Sequence, residues 1–515
     1  MTRTLVIQLG RLGDVVQTTP LFSDLAAHGD EVDALILRSA HEPLLGFSAV
    51  ANIITIPDSL KPLDDAIACG FRQGKIPVEA DELLTGLQLP RYDRIVNASH
   101  APLGCWLAGA IPCTNADARS GGIICDRECL YRGPANVYRV AQLQFREQNL
   151  FHVVDLLRGA WEAEPKRKRP RLYTNRAADL RFALPQGRKV ALNPGASDAG
   201  RCWPAENFAR LAEALCAAGF TPILVGALSD HELCEQIRST TRIPISNFAG
   251  STTISEMATL LAGCDLLVSA DTGGAHLAAA VGTTVLGLYG ATAWFAETAP
   301  YGDNHLVLQT PLNTAMSTLS FEAVLAAALH RLNRLSINDL RRELHRQNQS
   351  AWETLVQSPS RTGDPLGGLT YRPVHRDSFT PEECFTQSLR EAFTTEFLAT
   401  RISVRRTSDG CATDSLAQTF EHMQSLAALC SEFARTRAAS YDVATAAHAL
   451  IATMERLRAF AAAAKWRRFS PVIYNLDWRL RMLPQRSPEQ TLRAHAEAYA
   501  SAARVWRRAG YHTAQ

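Results

Sequence analysis

The stretch Leu5-Val6-Ile7-Gln8-Leu9-Gly10-Arg11-Leu12-Gly13-Asp14 decides the fold. A short apolar run breaks at a glycine, turns through Gly10 to Asp14, and passes into a helical pattern from about 15 to 27. A buried strand, a tight loop and a helix in that order are the first unit of a parallel α/β sheet. Working outward, residues 32–37, 52–56 and 94–97 read as further strands of this sheet. Two long stretches, 58–90 and 112–146, break the alternation and are expected to be insertions or lid-like loops.

A boundary falls near 165–187, between the basic run Pro165-Lys166-Arg167-Lys168-Arg169-Pro170 and the turn Pro185-Gln186-Gly187. The pattern then restarts, with strands at 189–193, 222–225, 265–269 and 284–288 and helices at 204–218, 230–238 and 255–262. The expectation is two doubly wound halves, 1–165 and 185–320, with ligands bound in the cleft outside the carboxyl ends of their strands. Residues 321–356 are expected to be helical and to pack on the two halves, and 357–380 to be a Ser-, Pro- and Gly-rich linker. Thr380-Pro381-Glu382-Glu383 and Ser487-Pro488-Glu489-Gln490 each combine a capping box with proline at the first helical position, so 381–515 reads as an all-helical extension.

The composition fits this division. A chain of 515 residues calls for about three domains at roughly 150 residues each. Hydrophobic residues at 46% and charged residues at 20% exclude a disordered or fibrous protein. Lys plus Arg is 53 against 51 for Asp plus Glu, and a net charge of +2 provides no whole-protein field for nucleic acid, which is not expected as a partner. The opening run lacks the long apolar core and cleavage site of a signal peptide, and no run of about 20 apolar residues could span a bilayer. The 12 cysteines are scattered and read as reduced thiols, so a cytoplasmic protein is expected. Cys113, Cys125 and Cys129 match no standard zinc or iron–sulfur spacing, and neither cofactor nor metal is expected.

Three loops carry the chemistry, each following a strand and opening a helix. Gly10 and Gly13 bring backbone close to a ligand, and Asp14 beside them either caps the helix or faces the cleft as a catalytic group. Gly10–Asp14 is neither a dinucleotide fingerprint nor a Walker A loop. Ser269-Ala270-Asp271-Thr272-Gly273-Gly274-Ala275-His276 offers backbone N–H groups and the Thr272 hydroxyl to an anion. Asp271 is awkward beside a phosphate unless it orients the loop or meets a sugar hydroxyl, and His276 either reaches the phosphate or stabilises the loop. In the third loop, which begins Asn193-Pro194-Gly195, Arg201 either offers fixed donors suited to a pyrophosphate or is a surface arginine near the helix start.

These motifs resemble glycosyltransferase family 9, the heptosyltransferase-like enzymes of bacterial lipopolysaccharide assembly. The matching pieces are Leu-Gly-Arg-Leu-Gly-Asp-Val-Val-Gln-Thr-Thr-Pro-Leu from Leu9, Asn-Pro-Gly-Ala from Asn193, Arg-Cys-Trp-Pro-Ala-Glu-Asn-Phe from Arg201, Asp-Thr-Gly-Gly-Ala-His-Leu-Ala-Ala-Ala-Val-Gly-Thr from Asp271, and Leu-Tyr-Gly-Ala-Thr from Leu288. They span roughly the first three-fifths of the chain. The resemblance implies the GT-B fold and an inverting, metal-independent transfer from a nucleotide-diphosphate sugar to a saccharide or lipid-linked acceptor. It assigns Asp14 as general base, and Gly13, Arg201, Asp271, Thr272, Gly273, Gly274 and His276 to the donor, with Asp230 or Glu232 for the ribose hydroxyls. Arg201 stands where the family usually has lysine, and the helical extension is additional to the family pattern.

Two rival readings keep the scaffold: a sugar-nucleotide epimerase or hydrolase, and a non-catalytic sugar-nucleotide-binding assembly protein. The basic, aromatic stretch 456–486, with Lys465, Trp466, Arg467, Arg468, Phe469, Trp478, Arg479 and Arg481, reads either as helix packing or as a contact to the inner face of the inner membrane. The extension is also a candidate surface for homo-oligomers.

Overall fold

The computed structural model describes residues 1–125, 128–132, 135–136, 139, 146, 149, 151–159, 170–176, 179–357 and 368–376. The basic run at 166–169, the stretch 456–486 and the extension expected over 381–515 lie outside the described residues.

The opening run forms β1 (Arg3–Gln8), whose Leu5, Val6 and Ile7 are fully buried, as a central parallel strand covered on both faces requires. Beside it lie β2 (Glu31–Leu37), β3 (Asn52–Ile56), β4 (Arg94–Asn97), β5 (Arg119–Cys125) and β6 (Glu128–Arg132), in the order β3-β2-β1-β4-β5-β6. All neighbouring pairs run parallel except β5 with β6. The second sheet contains β7 (Lys189–Asn193), β8 (Thr221–Leu224), β9 (Ser246–Asn247), β10 (Leu266–Ala270), β11 (Val285–Ala291), β12 (Leu306–Leu312), β13 (Ser350–Gln357) and β14 (Gly368–Pro373). Its order is β14-β13-β12-β11-β10-β7-β8-β9, with β13 antiparallel to both of its neighbours. In both sheets the strand order reverses beside the first strand, between β1 and β4 and between β7 and β10. Loops leaving such switch points form the ligand crevice of a doubly wound sheet.

The helix after β1 spans Leu12–Ala27 and contains Pro20, which cannot donate to the carbonyl of Val16. The Thr19 hydroxyl donates to that carbonyl instead, at 2.6 Å, so the helix continues through the proline.

Several expectations need correction. Residues 58–90 form no lid: they fold into the helices Lys61–Gly70 and Val78–Leu87, which make the crossover from β3 to β4. The described part of 112–146 includes the β5–β6 hairpin, which extends the first sheet. Residues 321–356 are helical only over Phe321–Arg331 and Ile337–Arg346; the chain then enters β13. Strand β14 lies within the stretch read as a linker, and β12 was not foreseen.

The halves are tied by the short helix Val153–Arg158. The Arg158 guanidinium, fully buried, meets Asp24 Oδ2 of the first half at 2.7 Å. Asp155 accepts from Tyr301 Oη at 2.8 Å and from the Leu369 N–H at 3.1 Å, both from the second half. Breaking a buried ion pair strands the remaining charge in a medium that solvates it poorly. Arg158→Ala should therefore lower the unfolding free energy by about 3–5 kcal/mol in a denaturant titration. A loss below about 1 kcal/mol would show the pair to be as weak as an exposed one.

Candidate functional site

Two helices, Leu12–Ala27 from the first half and Gly273–Val281 from the second, meet at their N-termini. The approach is close enough that a Cβ on Gly13 would stand 2.8 Å from Cδ2 of His276. Glycine is required at position 13 because the opposing helix occupies the space of any side chain. The positive ends of both helices thus open on one cleft of about 480 Å³, between the halves.

Asp14, Gly13, Arg201, Asp230, Asp271, Thr272, Gly273, Gly274 and His276 all line this cleft. Glu232 does not. It is exposed on the helix His231–Thr240 and is absent from the cleft wall, so its assignment to the ribose is withdrawn. Asp230 is in place: its Oδ2 accepts the Ala227 N–H at 2.8 Å, and Gly195 leaves it room, since a Cβ there would fall 2.2 Å from the Asp230 carboxyl carbon.

Asp14 caps its helix and also lines the cleft. Its Oδ2 accepts the Arg11 N–H at 2.8 Å, closing the first turn, while the residue is open to the cleft. The protein surrounding the cleft floor displaces water and raises its pKa above the ordinary carboxylate value; the Arg11 N–H, His276 and Arg139 pull the other way. Carboxylates in such surroundings hold a proton more readily, which suits proton abstraction near neutral pH.

The puzzle of Asp271 resolves in the same way. Its Oδ2 lies 3.3 Å from Arg201 Nη1 and its Oδ1 3.8 Å from His276 Nε2. Its charge is met by the guanidinium and does not oppose an anion at the helix end. Arg201 is anchored in turn by Nε donating to Thr292 Oγ1 at 2.8 Å. Thr272 Oγ1 is held by Asn193 Nδ2 at 3.1 Å and by Ser269 Oγ at 2.9 Å, which leaves the N–H groups of the first helical turn facing the cleft.

His276 is buried between the two carboxylates, and burial pushes its pKa down to about 4, partly offset by Asp14. The imidazole is therefore neutral at pH 7.

The sequence reading passed over three features. Arg146 crosses from the first half to donate to the Thr292 carbonyl and pairs with Glu297 at 3.5 Å, beside the Arg201 anchor. Thr252, Thr253 and Met257 also line the cleft. A second cavity of about 220 Å³ lies on the first-half side of Asp14, lined by Gln8, Gln17, Ser99, His100 and Arg139 among others. The Arg139 charge, with burial, holds His100 near 3 and hence neutral. Of the cysteines, Cys129 hydrogen-bonds with Cys105, and the Cys113 thiol lies 3.2 Å from the Asn115 carbonyl.

Two doubly wound sheets facing one cleft, with an acid on one side and helix N-termini on the other, define the GT-B class of glycosyltransferase folds. The family model for glycosyltransferase family 9 (heptosyltransferase) matches residues 138–324. It is 35% identical over 109 residues to lipooligosaccharide heptosyltransferase 2 of Haemophilus influenzae, an alignment covering 20% of this chain and 32% of that protein. It is 33% identical over 106 residues to lipopolysaccharide heptosyltransferase 3 of Escherichia coli, covering 20% and 31%. The chain thus spans about a third of the length of these curated relatives in alignment. A glycosyl transferase family 9 structure from Veillonella parvula shares the fold, with a TM-score of 0.52 at 18% identity over 64% of this chain and 97% of that one.

Two predictions follow from this geometry. Gly13→Val should drive His276 out of place and weaken nucleotide binding, with a stability loss of about 1–3 kcal/mol; unchanged binding and melting would mean the halves do not meet at this point. The His276 ring should titrate near pH 4 in NMR spectra. Because its folded pKa is below the ordinary value, the unfolded chain binds the proton first, and this residue's contribution to stability falls as pH drops from about 6.5 towards 4. A midpoint near 6.5 would contradict its burial.

Proposed function

We propose that this protein is an inverting, metal-independent glycosyltransferase that moves heptose from a nucleotide-diphosphate sugar to a saccharide acceptor of cell-surface assembly. The observation that carries the reading is the placement of Asp14 between the two cavities, opposite the N-terminus of Gly273–Val281.

The nucleoside lies along the Thr252, Thr253 and Met257 wall, with its ribose hydroxyls at Asp230. The diphosphate rests on the N–H groups of Gly273 and Gly274, with the guanidinium N–H groups of Arg201 that do not face Asp271 donating to it. An acceptor hydroxyl enters from the smaller cavity. Asp14 takes its proton as the oxygen attacks the anomeric carbon, forming the new C–O bond while the bond to the diphosphate breaks on the opposite face. One in-line displacement inverts the centre. The developing charge on the leaving diphosphate is met by the helix end and Arg201, without a further group being required. A cytoplasmic reaction is part of this reading, because activated nucleotide sugars are made there; among the described residues no helix is long and apolar enough to cross a membrane.

Asp14→Asn keeps an oxygen to accept the Arg11 N–H but cannot take the proton. It should lower kcat about 10²- to 10⁴-fold while donor Kd changes little. Retained turnover would remove Asp14 from the chemistry. Arg201→Ala should weaken donor binding about 10- to 100-fold in calorimetry; an unchanged Kd would place the diphosphate elsewhere. Donor isomerised or hydrolysed without acceptor, as fast as it is transferred with one, would favour the epimerase or hydrolase reading instead.

A further inference from the structure

Gln17 follows Asp14 by three positions on the helix Leu12–Ala27 and therefore shares its face. Asp14 and Gln17 are the two residues that line both the 480 Å³ cleft and the 220 Å³ cavity. Gln17 is only 3% exposed, and its side-chain Nε2 has no hydrogen-bond partner among the described residues. Its neighbours on the cavity wall are engaged. Gln8 donates to Thr18 Oγ1 at 2.9 Å and accepts the Gly10 N–H at 3.0 Å, and Arg139 donates to the Ala98 carbonyl at 2.8 Å. A buried amide donor left without a partner destabilises a fold, and an apolar side chain of the same length would serve this helix better.

We propose that the Gln17 amide is the acceptor's hydrogen-bond donor: Nε2 binds an oxygen of the acceptor saccharide in the smaller cavity and so presents the neighbouring hydroxyl to Asp14. A neutral amide at this point selects a polyhydroxylated ring, whose hydroxyl and ether oxygens accept without needing a charge. The amide also lies between the two substrates, where one contact can fix the angle of attack. This assignment rests on the reading of Asp14 as the base.

The test is Gln17→Met, which keeps the length and removes the amide. The variant should melt at or above the temperature of the parent, because no bond within the fold is lost. It should bind the nucleoside diphosphate preferred by the parent, chosen from ADP, UDP and GDP, with unchanged Kd. Its KM for the acceptor, found by screening the parent with neutral mono- and disaccharides, should rise about 10- to 100-fold. An unchanged acceptor KM, or weakened nucleoside diphosphate binding, would overturn the assignment. If the parent transfers to no saccharide, the glycosyltransferase reading fails separately, and melting still decides the premise about Gln17. A melting temperature several degrees below the parent would show that the amide has a partner inside the protein and end the inference; one at or above the parent would sustain the unmet donor.

Discussion

The structure depends on the close approach of two helix N-termini across the line between its halves. At Gly13 the first half comes near enough to the second that only a hydrogen fits before His276. The contact brings Asp14 to the turn Asp271–Gly274 and opens the N-termini of both helices toward one volume. The remaining ties, Arg158 with Asp24 and Asp155 with Tyr301 and Leu369, hold the halves so that this approach is kept.

The charges in the cleft are arranged to leave one carboxylate available. Asp271 is paired with Arg201, and Asp230 is turned onto the Ala227 N–H. Burial lowers the His276 pKa to about 4, although its coupling to Asp14 still offsets part of the burial effect on that carboxylate. Asp14 is left with one backbone N–H and an opening to the cleft, which matches the demands of a base that must bind and release a proton.

Much of this was legible in the sequence, and the failures have physical causes. Strands β1, β7 and β10 are central, so their largely apolar runs and the glycines that follow announce both sheet and site. The crossover at 58–90 hid because Gly70, Gly74 and Pro77 interrupt it and its helices bury only a narrow stripe. Strands β13 and β14 are added at one side of the sheet, where β13 is only partly buried and carries no motif. Glu232 misled because an acid two positions after Asp230 looks equivalent in sequence, whereas the helix beginning at His231 turns it outward. Arg146 and Gln17 gave no signal: one acts across the domain line, and the other is marked only by the partner it lacks.

The central claim is that the paired helix ends form a diphosphate site. The most direct measurement is calorimetric titration of the intact chain with a nucleoside, its 5′-monophosphate and its 5′-diphosphate at one salt concentration. A helix end supplying two N–H groups together with Arg201 predicts that the diphosphate binds at least about tenfold tighter than the monophosphate. Equal affinity for the two would mean that the second phosphate finds nothing in the cleft, and the account of the site would be wrong.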